Sequence, residues 1–168
     1  MRACDTAMRE GLLYDLVGRA GQSDPREASV LALARRYGVD AAHAARVETT
    51  ALALFEQVQD TWEFNETQRD WLAWACRVHE IGLAIAHSQH QVHGAYLVAN
   101  SDLFGFTRQE QQALAFVVRA QRRAIPVDEV NALPERLAVP AARLAVLLRL
   151  SALLHRGLDD IFDPSLQA

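Results

Sequence analysis

From Asp24 to Arg156 the chain repeats one pattern: apolar residues three and four positions apart, in runs opened by capping side chains and closed by helix breakers. Strands cannot use that pattern. Their side chains alternate with period two, which would leave as many apolar groups in water as in a core. Ser23 or Asp24, with Pro25, opens a helix that closes at Tyr37–Gly38, and Asp40 opens the next over 41–60. Trp71, Leu72, Ala75 and Val78 mark an inward face over 66–80. A short helix covers 90–101, and Thr107 caps 108–122. Residues 124–140 read as irregular, with three prolines, before an apolar final helix over 140–156. With an amphipathic segment at 5–17, the spacing predicts an all-α bundle of about seven helices and no sheet.

The glycines and proline of "GRAGQSDP" place a boundary that sets residues 1–22 apart from a main domain over 23–157, and residues 158–168 read as a frayed tail. No apolar run approaches the roughly 20 residues of a membrane span, and the first residues lack the apolar core of a signal peptide. Cys4 and Cys76 are far apart and in no metal-type spacing, which fits reduced thiols in a cytoplasmic protein. Trp71, Trp74, Tyr96, Phe104 and Phe106 are expected in the core rather than as base-stacking platforms, so no nucleic acid is expected as partner. No phosphate-binding loop, dinucleotide fingerprint or nucleophile triad is present.

All 17 basic residues are arginine, and net charge is −4. The balance is uneven: residues 1–102 carry −5, residues 103–156 carry +4 and residues 157–168 carry −3. A local basic face in the second half follows. Arg119, Arg122 and Arg123 fall within about one helical turn, and Arg149 and Arg156 are seven apart on one face of the last helix. The guanidinium fork matches phosphate oxygens, so these five are the candidate anion-binding residues.

Four of six histidines lie between His79 and His93. Metal sites need ligands converging from several elements. His43, His79, Glu80, His90 and His93 could meet if three helices pack together. "VHEIG" and "HQVHGA" resemble motifs of the HD superfamily of metal-dependent phosphohydrolases, with two departures. Glu80 stands where those enzymes have Asp, and Ala152 stands where the last helix should supply an Asp. The expectation is a degenerate cluster without a metal.

"AMREGLLYDLVGR", "HEIG", "HGAYLVANSDLFGFTRQEQ", "VVRAQRRAIP" and "LLRLSALLHR" together resemble the C-terminal region of the exopolyphosphatase/guanosine pentaphosphate phosphatase family. In that family the Glu of "HEIG" and the missing final Asp are typical. The resemblance implies an HD-like helical domain preceded by two actin-like domains, which hold the active site and its Mg²⁺. None of those Gly-rich elements occurs here, so no catalytic residue and no cofactor is expected in this chain, and residues 1–22 would be the exit helix and linker. The implied role is a non-catalytic domain of an exopolyphosphatase that binds inorganic polyphosphate and supports a homodimer. Two alternatives stay open: a self-sufficient HD-type phosphohydrolase and a helical dimerisation module without ligand.

Overall fold

The computed structural model describes residues 24–162 as a succession of α-helices, with no strand among the described residues. They are α1 (Pro25–Arg36), α2 (Ala41–Val58), α3 (Glu66–Val78), α4 (His90–Asn100), α5 (Arg108–Ala120), α6 (Val127–Asn131) and α7 (Glu135–Phe162). A 3-10 turn, Ile81–Ala84, joins α3 to α4. The all-α expectation holds. The segment 5–17, the proposed linker up to residue 22 and Cys4 lie outside the described residues.

The helix starts follow from local hydrogen bonds. The Asp24 carboxylate accepts from the Arg26 N–H at 2.9 Å, and that of Asp40 accepts from the His43 N–H at 3.0 Å. Thr107 and Glu110 form a reciprocal capping box, as do Asn65 and Gln68. Each cap satisfies backbone donors that the helix itself cannot, and contributes about 1 kcal/mol.

α7 departs from its predicted start. It begins at Glu135, with Pro140 inside it. The Pro134 carbonyl takes the first bonds, from the N–H groups of Leu137 at 2.8 Å and Ala138 at 3.0 Å. Pro140 removes one helical hydrogen bond. Burial offsets that loss, because Ala141, Leu144, Ala145 and Leu148 are all fully buried. Each buried leucine contributes about 1.5–3 kcal/mol. The helix also continues to Phe162, so the predicted tail at 158 starts within it. By length and composition alone Glu135–Arg156 could cross a membrane, with a mean hydropathy of 1.8, contrary to the sequence reading. Its packing is that of a central bundle helix, in contact with α2, α3, α5 and α6. Its outer side leaves Leu150, Leu153 and Leu154 exposed.

The other helices close around this axis: α3 packs on α1 and α2, and α4 packs on α5 and the 3-10 turn. Arg77 of α3 ties three helices together, donating to Glu48 of α2 and Glu27 of α1 at 2.8 Å each. Trp71 and Trp74 are buried, as expected, and Phe106 packs edge-on against Trp74. Tyr96 and Phe104 are not in the core; they are 65% and 77% exposed. The inward side of α4 is set by Gln91, Gly94 and Val98, and Tyr96 falls between those positions, on the outer side. Phe104 sits in the loop before α5, beside Gly105, whose φ is +88°.

One close approach locks the 3-10 turn to α4. A methyl group on Gly82 would overlap the His90 carbonyl oxygen and lie 2.6 Å from the Gly94 nitrogen. Both obstacles are backbone, so no side-chain rotation can relieve them. Gly82→Ala should therefore displace α4 or the turn and cost about 3 kcal/mol or more, read as a lowered denaturation midpoint in urea. A change below 0.5 kcal/mol, within the range of ordinary surface substitutions, would show that the contact is slack.

Candidate functional site

Two polar clusters adjoin at one end of the bundle. The first is built where α3 ends. His79 occupies the C-cap of α3 and is 1% exposed. Its Nδ1–H donates to the Cys76 carbonyl at 2.6 Å, which leaves Nε2 as the free lone pair. That Nε2 lies 3.8 Å from Oε1 of Glu80, and Nε2 of His43, in the first turn of α2, lies 3.5 Å from the same oxygen. His155 of α7 stands edge-on to the His43 ring, centroids 6.4 Å apart, with its Nε2 2.7 Å from the Thr50 hydroxyl.

Among the described residues, His43, His79 and Glu80 bring ligand atoms within 4.8 Å of one another. His90 is buried and His93 half-buried on α4, and neither joins this group. Three of the five expected residues therefore meet. They offer three ligand atoms that could face one metal ion, and Ala152, buried on α7, supplies no donor to complete a four-ligand cage.

Burial pushes the His79 pKa down to about 4, with repulsion from His43, His90 and Arg156 acting the same way. The ring is therefore neutral at pH 7. Burial also lowers the pKa of His90, aided by the charges of Arg122 and Arg156. Cys76, fully buried, has its thiol pKa pushed up by the same desolvation, which keeps it unreactive.

The second cluster is basic. Arg122, Arg123, Arg149 and Arg156 line one cavity of about 640 Å³, together with His87 and Gln91. Arg122 and Arg123 are exposed at its edge, and Arg149 and Arg156 are partly buried. Gln121 joins the two clusters: it lines this cavity and donates to the His79 carbonyl at 2.6 Å. Arg119 does not take part. α5 ends at Ala120, and Arg123 adopts a left-handed φ of +63°, so the chain turns away from the helical path that would have grouped the three arginines. Arg119 instead faces Glu129, Nε to Oε1 3.8 Å, beside a separate cavity that includes Tyr96. Gln91 and Gln121 were missed from the sequence, and His87, one of the four clustered histidines, lines the arginine cavity instead of the metal-type group. Gln91 could have been found, because it shares the buried side of α4 with Gly94 and Val98.

Fold and site define an all-helical domain carrying a histidine–glutamate cluster beside an arginine-lined cavity. The family model for Ppx/GppA phosphatase, domain III, matches residues 26–166, and the chain belongs to that family.

Two outcomes follow. The unfolded chain holds the His79 proton up to its ordinary pKa near 6.5, whereas the folded chain releases it down to about 4. Stability from this group is full above pH 6.5 and is lost as pH falls toward 4, by roughly 3 kcal/mol. Urea denaturation across that window should show an acid slope one proton steeper in the wild type than in His79→Gln; equal slopes would show that His79 titrates normally. Second, elemental analysis after dialysis should find zinc, manganese and iron each well below one equivalent. A full equivalent that is lost in His43→Ala would mean that three ligands suffice.

Proposed function

We propose that this chain is the non-catalytic helical domain of an exopolyphosphatase, and that its arginine-lined cavity binds inorganic polyphosphate. The observation that carries the reading is the convergence of Arg122, Arg123, Arg149 and Arg156 on one cavity in a protein of net charge −4. Guanidinium groups hold phosphate oxygens in paired hydrogen bonds and stay charged at any physiological pH. In this reading actin-like domains hold the active site and Mg²⁺, and hydrolysis from the chain end takes place there. The helical domain adds affinity for long chains, which extend beyond that site. The exposed leucines of α7 offer an apolar surface for association, with the catalytic half or with a second subunit.

A second reading has its own support in the convergence of His43, His79 and Glu80: an HD-type metal-dependent phosphohydrolase acting on nucleotides or phosphomonoesters. Turnover by the isolated chain that needs added metal and disappears in His79→Ala would favour it.

The first reading is tested by binding of long-chain polyphosphate to the isolated chain at two salt concentrations. Arg122→Ala/Arg123→Ala/Arg156→Ala should weaken binding ~10-fold or more at low salt and flatten its salt dependence. Arg119→Ala, outside the cavity, should change little. A loss in Arg119→Ala as large per charge removed as in the triple variant would mean that affinity follows total charge rather than this cavity.

A further inference from the structure

The cavity has a floor as well as a charged rim, and the floor carries a different chemistry. Gln91 is 1% exposed, lines the cavity, and its side-chain Nε2 has no hydrogen-bond partner. A buried amide donor left unpaired costs free energy comparable to a lost hydrogen bond, about 1–3 kcal/mol, so this donor calls for a partner that the protein itself does not supply. Gln91 also belongs to the first turn of α4, a helix of 11 residues. That helix starts without a side-chain cap: its N-cap is Gln89, held at a left-handed φ of +55°. Ser88 and Gln89 line the same cavity. An uncapped helix start presents backbone N–H groups and the positive end of the helix dipole, a combination suited to a phosphate.

From these positions we infer that the floor of the cavity seats a single phosphoryl group at the start of α4, held by the Gln91 amide, and that this group is the far end of a polyphosphate chain, opposite the end that is hydrolysed. The inference rests on the reading of the cavity as a polyphosphate site and adds which part of the chain enters it. A terminal phosphoryl group has three non-bridging oxygens and one onward link. It can dock end-on against the Gln91 amide and the N–H groups at the start of α4 while the rest of the chain leaves past the exposed Arg122 and Arg123. An internal unit has two non-bridging oxygens and two onward links, so it needs a passage open at both ends. The buried Gln91 and Gln121 stand on the inner side, and the exposed Ser88 and Gln89 lie at the rim with Arg122 and Arg123.

The experiment compares two probes of similar charge on the 168-residue chain by calorimetry: linear tripolyphosphate, which has ends, and cyclic tetrametaphosphate, which has none. The expected result is tighter binding of the linear probe by ~10-fold, the scale of one charge-assisted hydrogen bond. Gln91→Leu, close in volume, should remove most of that preference, and Gln91→Glu should abolish linear binding by repulsion. Equal affinity for both probes in the wild type, unchanged in Gln91→Leu, would overturn the seat while leaving the cavity as a polyphosphate site. Failure of both probes and of long-chain polyphosphate to bind would overturn the cavity reading and the seat with it. The wild-type comparison of linear and cyclic probes stands even if a Gln91 variant fails to fold.

Discussion

The backbone contact between Gly82 and the first turn of α4 is the constraint on which the polar end of this bundle depends. Gly82 lies against the His90 carbonyl and the Gly94 nitrogen, closer than any side chain would allow. That approach fixes the turn after α3, and so holds His79 and Glu80 opposite His43. It also fixes the start of α4, which places Gln91 at the arginine-lined cavity. The glycines of "HEIG" and "HQVHGA" are thus two sides of one packing contact, with Gly94 itself resting on Val118 of α5.

The histidine cluster and the arginine cavity are electrostatically linked. Arg156 lines the cavity and disfavours charge on both His79 and His90, and Arg122 disfavours it on His90. With His79 buried and neutral, the positive field at this end comes from guanidinium groups, which do not titrate near neutral pH. The arrangement keeps the cavity basic while His79 beside it stays neutral, and Gln121 ties the two through the His79 carbonyl. Membership in the Ppx/GppA phosphatase domain III family agrees with a phosphate-directed role at that coarse level.

What could be read in the sequence was local. The caps at Asp24, Asp40 and Thr107 act within three residues of themselves, so residue type and spacing identify them. The histidines on different helices required tertiary packing: His43, His79 and Glu80 came together, while His90 and His93 did not. The arginines failed as a group for a backbone reason. Spacing put Arg119 with Arg122 and Arg123 only if α5 continued, and it ends at Ala120. Pro140 misled in the same way, because the burial of Leu144 and Leu148 that sustains α7 through a proline is a property of the packed bundle. Gln91 was legible only as a position on the inward side of α4; its unpaired amide is a property of the packed structure.

The central claim is that polyphosphate occupies the cavity between the start of α4, the end of α5 and α7. Backbone amide chemical-shift mapping of the isolated chain during titration with short-chain polyphosphate tests it most directly. The account predicts saturable shifts concentrated at residues 87–91, 121–123 and 149–156, with α1 and α6 unaffected. Shifts centred on the outer side of α1 and α2, around Leu31 and Leu52, or shifts spread evenly over every arginine-bearing helix, would contradict it.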